Sequence, residues 1–234
     1  MKRQLLLAMT LLSLSVPVVA ARECVILLHG LCRTSRSMRV MERSLAAAGY
    51  QVVNVDYPSR TATVERLGEL AIAPAVAACQ RDGATTIHFV THSLGGILVR
   101  SYLARHTIPE LGRVVMLGPP NQGSEVVDHL GAVWFFKKIN GPAGNELGTK
   151  ANSVPRRLGP AHFCVGVIVG NRSINWINSC LIPGPDDGKV SVARARLEGM
   201  ADFVVVPATH PFLMRNRTVI RQTLAFLQTG KFAH

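Results

Sequence analysis

Apolar and polar positions follow two different periods along this chain. Short continuous apolar runs predict buried strands, and longer segments between them repeat apolar residues at helical spacing. The predicted strands cover residues 24–28, 51–56, 86–90, 113–117, 164–169 and 202–206. The predicted helices lie near 35–48, 64–81 and 94–105, with a last helix after residue 210. This alternation indicates right-handed βαβ units and therefore an α/β fold, with a mostly parallel central sheet and helices on both faces.

Two residues mark where helices should end or bend. Gly49 follows three alanines and is expected to cap the first helix. Pro74 lies inside the second helical pattern and is expected to kink or split it. The length of 234 residues, with 48% hydrophobic and 17% charged residues, fits one folded domain rather than a disordered chain.

The first twenty residues have a different pattern. Lys2 and Arg3 precede a long apolar stretch that ends in V-V-A before Ala21. This layout is typical of a secretory signal peptide at 1–20, cleaved to leave a domain at 21–234, although an uncleaved anchor has a similar layout. Pro17 and the small residues at the end favour cleavage. We therefore expect an exported protein, periplasmic or extracellular.

The five cysteines are interpreted in the light of export, because disulfides form in oxidising compartments. Their odd number leaves at least one unpaired within the chain. Cys164 and Cys180 flank one loop and are the pair expected to join. No cysteine and histidine cluster has the spacing of a zinc site, so no metal is predicted.

The chain is strongly basic, with 26 Lys and Arg against 14 Asp and Glu, a formal net charge of +12. Such a surface attracts anionic partners, and an anionic membrane surface is one candidate. A simply solvated basic surface is the plainer interpretation. No nucleic-acid-binding module is recognisable and aromatic residues are few, so no nucleic-acid partner is expected.

The most informative motif is T-H-S-L-G-G, which directly follows the predicted strand at 86–90. A strand, a sharp turn with a central Ser and then a helix form a nucleophile elbow, which exposes the hydroxyl of Ser93 at the sheet edge. The usual motif is G-x-S-x-G, and Thr91 replaces its first Gly. Because close approach of strand and helix favours a small residue there, Thr91 is a mild departure.

A base and an acid follow Ser93 in the chain. Of eight histidines, His210 stands out because it lies in a loop between a late strand and the last helix. The loop P-D-D-G offers Asp186 and Asp187 as the acid that orients it. Asp187 is preferred because it precedes Gly188 and K-V-S-V, which is predicted to be extended, but either Asp could simply form the turn. Asp202 is the remaining candidate.

Together, these motifs resemble the secreted lipase and esterase branch of the α/β-hydrolase family. The resemblance rests on L-L-H-G-L, T-H-S-L-G-G, L-G-P-P-N-Q-G-S, D-D-G-K-V and A-T-H. It implies the α/β-hydrolase fold and a Ser93, Asp187 and His210 triad that cleaves a small-molecule or lipid ester without a cofactor. It also implies an oxyanion hole formed by the backbone amides of Leu31 and Leu94.

Residues 125–158 are predicted to be an insertion that includes the aromatic run W-F-F at 134–136. Such a segment could form a lid over the site, or a helix packed on the core. The resemblance leaves acyl chain length and leaving group open. A thioesterase or amidase could use the same triad, and a catalytically silent protein of this fold could bind envelope lipids instead.

Overall fold

The computed structural model describes residues 22–130 and 134–234, so the predicted leader lies outside the described residues. Six parallel strands form one sheet in the order β2-β1-β3-β4-β5-β6. The strands are β1 (Glu23–Leu28), β2 (Gln51–Val55), β3 (Thr86–His92), β4 (Leu111–Leu117), β5 (Val165–Gly170) and β6 (Asp202–Val206). Each matches a predicted strand within a few residues, which confirms the predicted parallel α/β sheet.

Helices connect and cover these strands. Nine α-helices are described: α1 (Arg39–Ala47), α2 (Val64–Arg81), α3 (Leu94–Leu103), α4 (Glu125–Leu130), α5 (Trp134–Asn145), α6 (Val154–Arg157), α7 (Trp176–Leu181), α8 (Val192–Ala195) and α9 (Arg217–Thr229). None of the helices in the described ranges is long and apolar enough to cross a membrane.

The strand β1 shows how the sheet divides the core. Cys24, Ile26 and Leu28 pack with residues of α2 and α3 on one face. Val25 and Leu27 pack with residues of α1 and α9 on the other face. Because successive side chains of a strand point to opposite faces, a continuous apolar strand must be covered on both sides.

The helix ends follow local chemistry, with two departures from the sequence pattern. The first predicted helix begins as a 3₁₀ turn, Ser35–Met38, and becomes α1 only at Arg39. Gly49 has φ of +94° just beyond α1, as expected of a glycine that ends a helix. Pro74 does not split α2, which continues to Arg81 because residues on both sides of the proline, Ile72 and Ala75 among them, are buried in the core.

The predicted disulfide is wrong. Cys24 of β1 is bonded to Cys79 of α2, with both residues fully buried, whereas Cys32, Cys164 and Cys180 are free and exposed. The sequence pattern does not reveal this pair, because both cysteines occupy apolar positions, one in a strand and one in a helix. A cysteine at such a position has the same pattern as any other buried apolar residue. The bond ties β1 to the helix that covers it.

Candidate active site

Ser93 lies at the turn between β3 and α3, at the edge where the parallel strands end. Its φ of +52° is in the left-handed region, which only one other non-glycine residue, Cys32, shares in the described chain. Its N–H donates to the carbonyl of Leu117 at 2.9 Å, which fixes the turn against β4. This strained turn after a strand and before a helix is the backbone geometry of a nucleophile elbow, and Ser93 within it is half-buried.

Close packing explains both glycines of the motif. A Cβ at Gly95 would lie 2.7 Å from the carbonyl oxygen of Leu28, so α3 can begin against β1 only with glycine there. A Cβ at Gly96 would lie 3.3 Å from Oγ1 of Thr91. Gly96 therefore leaves room for the threonine that replaces the usual first glycine.

His210 begins the 3₁₀ helix His210–Arg215 after β6 and lies next to Asp187. Its Nδ1–H donates to Oδ2 of Asp187 at 2.8 Å, and its backbone N–H donates to the Asp187 carbonyl, also at 2.8 Å. The carboxylate is fully buried, and its Oδ1 accepts the N–H groups of Lys189 and Val190 at 3.1 and 2.9 Å. These bonds hold Asp187 in place and fix the orientation of the imidazole.

The other two acid candidates are engaged elsewhere. Asp186 accepts hydrogen bonds from Ser179 Oγ and the Gly188 N–H, so it shapes its own turn. Asp202 accepts the N–H groups of Phe203 and Phe232 at the far end of β6. The run after Gly188 is not a strand: Ser191 makes one isolated bridge with Asp186 and then caps α8.

Leu31 and Leu94, whose backbone amides are the predicted oxyanion donors, lie in the loop after β1 and at the start of α3. Leu94 is the first residue of α3, so its N–H has no partner within the helix. Leu31 follows Gly30, where a Cβ would lie 2.7 Å from Nδ1 of His92 and 3.2 Å from Cβ of Ser93. Glycine therefore lets the loop after β1 pass directly beside the nucleophile turn. In the described part of the chain, the Leu31 amide donates to no protein acceptor.

Ser93 and His210 line one cavity of about 510 Å³, together with Leu31 and Asp187. The part of its lining that comes from the ends of β1 and β3, Leu31, His92 and Ser93, is called here the strand-end wall. Residues 125–158, which carry α4, α5 and α6, are called the cover segment. No hydrogen bond joins Ser93 and His210 among the described contacts, and such bonds often tighten only when substrate is bound.

The cover segment contributes a largely apolar part of the lining: Val126, Val127, Ile139, Asn140 and Leu147. The insertion predicted at 125–158 therefore borders the cavity. Of the predicted aromatic run, the Trp134 side chain is 71% exposed. Residues 131–133 and the side chains at 135–137 lie outside the described residues.

Arg100 of α3 ties the cover segment to the nucleophile helix. Its buried guanidinium donates to the carbonyls of Asn121, Pro155 and Gly159 at 2.8–3.0 Å. Burial lowers the pKa of Arg100 to about 10. The charge is therefore retained at neutral pH and is solvated by backbone oxygens rather than by a carboxylate.

Two histidines beside the site act as structural residues. His29 is buried and stacks on Tyr57, with a ring-centroid distance of 4.0 Å. Nε2 of His92 donates to the backbone carbonyl of His210 at 3.0 Å. Burial lowers the pKa of His29 and, to a greater extent, of His92. Both rings are therefore neutral at pH 7, and His92 links the turn at Ser93 to the loop that carries His210, a role that sequence reasoning missed.

A model of the alpha/beta hydrolase family matches residues 25–219, and the chain belongs to that family. A lipase of Bacillus licheniformis, BlEst2 in its mature form, is similar over 90% of this chain and 93% of its own, with 20% identity and a TM-score of 0.72. An esterase from Thermogutta terrifontis covers 90% of this chain and 91% of its own, with 16% identity and a TM-score of 0.56.

A further similar structure is the phospholipase PlaB from Legionella pneumophila, with 20% identity and a TM-score of 0.63. The similarity covers 87% of this chain but 57% of that protein. No curated protein matches the sequence itself. At these identities, the structural likeness establishes the fold, and the chemistry must be argued from the site.

Proposed function

We propose that this protein is a serine ester hydrolase, a lipase-like carboxylesterase that works through Ser93, His210 and Asp187. The observation that carries the proposal is the buried hydrogen bond between His210 Nδ1 and Asp187 Oδ2, at 2.8 Å. It leaves Nε2 of His210 as the basic nitrogen, in the same cavity as the strained Ser93. The chain order of serine, acid and histidine is that of its family.

Acylation begins when His210 Nε2 takes the proton of Ser93 Oγ. The oxygen attacks the ester carbonyl, and the tetrahedral intermediate carries its negative charge on the former carbonyl oxygen. His210 then gives the proton to the leaving alcohol oxygen as the C–O bond breaks. Asp187 stabilises the imidazolium that forms between these two steps.

Deacylation repeats the cycle with water as the nucleophile. His210 takes a proton from water, the hydroxyl attacks the acyl carbon, and the acid leaves as Ser93 recovers its proton. In both halves, the amides of Leu31 and Leu94 donate to the oxyanion. Removing one such donor costs about 10²–10³ in rate in a studied serine hydrolase, so these two backbone positions carry a large share of the catalysis.

The cavity lining and the similar structures both support an ester with an acyl chain. The valines and leucine of the cover segment offer apolar area to an acyl group, worth about 25 cal/mol per Å² buried. The similar structures include a lipase, an esterase and a phospholipase, which are ester hydrolases by name. We propose that the cover segment acts as the lid of this site.

We also propose that the chain is exported and that residues 1–20 are removed as a signal peptide. The leader pattern and the Cys24–Cys79 disulfide support export. Protein recovered from an exporting cell should begin near Ala21 or Arg22 when its N-terminus is sequenced. A retained Met1 would contradict cleavage.

The central test combines Ser93→Ala with a fluorophosphonate probe and p-nitrophenyl esters of graded chain length. We expect ester hydrolysis and labelling by the parent protein, and loss of both in folded Ser93→Ala, with activity falling at least about 10³-fold. Ser101→Ala, a buried serine of α3 outside the cavity, is the matched control. Labelling without ester turnover would indicate another acyl substrate, such as a thioester or amide. No labelling would indicate a silent lipid-binding protein.

A further inference from the structure

Two cationic side chains line the active-site cavity without having a role in the triad. Arg33 lies two residues after Leu31, the proposed oxyanion donor, and Lys189 lies two residues after Asp187. Both therefore belong to the loops that carry the catalytic groups. The backbone that positions those groups therefore also positions the Cα atoms of Arg33 and Lys189, whose side chains are exposed.

Hydrogen bonds hold both loops in place. The Arg33 N–H donates to the Gly30 carbonyl at 3.3 Å, and the Cys32 N–H between them donates to Ser59 Oγ at 3.1 Å. On the other loop, the Lys189 N–H donates to Asp187, and the Lys189 carbonyl accepts from Ser124 Oγ at 2.9 Å. A cation on a fixed loop is a better anion receptor than one on a free loop, because less conformational entropy is lost on binding.

The side chains of Arg33 and Lys189 have no direct ion-pair partner among the described residues. Within the described chain, neither side chain makes a hydrogen bond or a salt bridge, and Asp187 is the one acidic residue of the cavity lining. Its carboxylate is already occupied by His210 and two backbone N–H groups. Partial burial lowers the pKa of Lys189, and Arg33 lowers it further, while Cys32 and Asp187 act in the opposite direction. An anion bound near both cations would offset their mutual repulsion.

The lining therefore combines the apolar side chains of the cover segment with two cations from the loops after β1 and after Asp187. An acyl chain suits the apolar part, which leaves the cations to the alcohol portion of the ester. We propose that Arg33 and Lys189 form an anion subsite, and that the preferred substrates are esters whose alcohol portion carries a phosphate or carboxylate. This inference rests on the proposed ester hydrolase function.

The test compares two soluble butyrate esters, neutral p-nitrophenyl butyrate and its analogue with a carboxylate on the nitrophenyl ring. The measured quantity is the ratio of kcat/KM for the anionic ester to that for the neutral ester, at low ionic strength. Because each variant is compared with the parent on the same two esters, the intrinsic reactivity of the esters cancels.

We expect Arg33→Gln and Lys189→Met each to lower this ratio about tenfold, because each removes one charge interaction with the anionic ester and leaves the neutral ester unaffected. Arg33→Lys should retain most of the parent's ratio, because lysine keeps the positive charge. Arg36→Gln and Lys150→Gln remove one positive charge each at exposed positions outside the cavity lining, and they should leave the ratio within about twofold. Added salt should reduce the parent's preference for the anionic ester.

Equal effects in the variants and in the two controls would overturn the subsite in favour of general surface charge. An unchanged ratio in Arg33→Gln and Lys189→Met would also overturn it, while turnover of the neutral ester would leave the proposed function standing. If the parent hydrolyses neither ester, the proposed function itself fails and the subsite with it.

A lipid arm identifies the source of the anion. Fatty-acid release from a lysophosphatidic acid is compared with release from the monoacylglycerol of the same chain length. A preference for the phosphate lipid that is lost in Arg33→Gln would indicate a lipid headgroup. If Arg33→Gln loses the preference only for the soluble carboxylate ester, the preferred substrate is a small acidic ester rather than a lipid. Absence of the preference in both arms contradicts the proposal.

Discussion

The two sides of the active-site cavity are built in different ways. The strand-end wall consists of strained turns and glycine contacts, with backbone approaches that leave no room for a Cβ at Gly30 or Gly95. The cover segment is joined to the domain by polar contacts, such as those of Arg100 with Pro155 and of Arg194 with Glu125, and by buried apolar side chains such as Leu147. The wall is thus built on the turns at the ends of β1 and β3, and the cover on helices that pack beside the sheet.

This difference indicates how each region tolerates change. A small steric error in the strand-end wall would displace Ser93 and the amides of Leu31 and Leu94, the proposed nucleophile and oxyanion donors, because they lie on its two closely packed turns. A change in the cover segment alters the shape of the cavity while the triad keeps its geometry. We therefore expect substitutions in the wall to affect kcat or folding, and those in the cover to affect substrate preference.

The sharpest test within the catalytic loops concerns the adjacent acids. Asp187→Asn should lower kcat about 10⁴-fold, because an amide leaves His210 in the wrong tautomer. Asp186→Asn is the matched control and should cost far less, since its contacts shape a turn that Asn also forms. Steady-state kinetics on variants shown to be folded by circular dichroism measure both. A crippled Asp186→Asn would reassign the acid.

The steric specification of the wall is tested with Gly95→Ala. The new Cβ would lie 2.7 Å from the Leu28 carbonyl oxygen, so α3 must move, and we expect a loss of about 1–3 kcal/mol in the free energy of unfolding and lower kcat. Gly68→Ala inside α2 is the control, because its Cβ would lie 3.4 Å from the nearest atom, the carbonyl oxygen of Leu98. It should be neutral, or raise the free energy of unfolding by up to about 1 kcal/mol. Urea unfolding compares the two. Equal losses of unfolding free energy in the two variants would show that the close approach of α3 to β1 does not require glycine at position 95.

The wall should also be the acid-sensitive region. Burial lowers the pKa values of His29 and His92 at the wall, and of His88 nearer the start of β3, so the unfolded chain binds more protons than the folded one below about pH 6.5. Stability should therefore fall between pH 7.5 and 5.5, by up to about 1.4 kcal/mol per pH unit for each histidine. In urea titrations, His92→Gln should flatten this slope. His162→Gln, at an exposed position, should not. A steeper slope in His92→Gln would contradict the assignment.

The smallest effect is expected in the cover segment. Val127→Ala removes apolar lining and should lower kcat/KM for octanoate relative to acetate esters by about threefold, a consequence of about 25 cal/mol per Å² of lost contact. Val40→Ala, at an exposed position of α1, is the control. A parallel loss on both esters would indicate a packing role for Val127 rather than contact with the acyl chain.

The sequence predicts the strand-end wall better than the cover. The strands were found because each is a continuous apolar run, and Ser93 because its turn needs glycines at fixed positions. His210 and Asp187 were found from their place after late strands, and the structure brings their side chains into contact. Their catalytic roles remain proposals.

What sequence reasoning missed depends on contacts between distant segments. Cys24 and Cys79 are 55 residues apart and meet only because α2 packs on β1. Arg33 and Lys189 look like ordinary surface cations until two loops place them on one cavity. The role of His92 likewise depends on a carbonyl 118 residues away. The hydrophobic pattern and short motifs of one segment carry no information about its contacts with distant segments.

The Cys24–Cys79 bond has a consequence for how the protein responds to its chemical surroundings. Thiol–disulfide exchange needs an attacking thiolate to reach a sulfur, and both cysteines are fully buried between sheet and helix. External reductants can reach this bond only through molecules that have opened, so its lifetime reports on unfolding rather than on ambient redox potential. The exposed thiols of Cys32, Cys164 and Cys180 respond directly to oxidants and alkylating agents. The rate at which the disulfide is reduced is therefore set by unfolding. The rate at which the free thiols react is set by the reagents in solution.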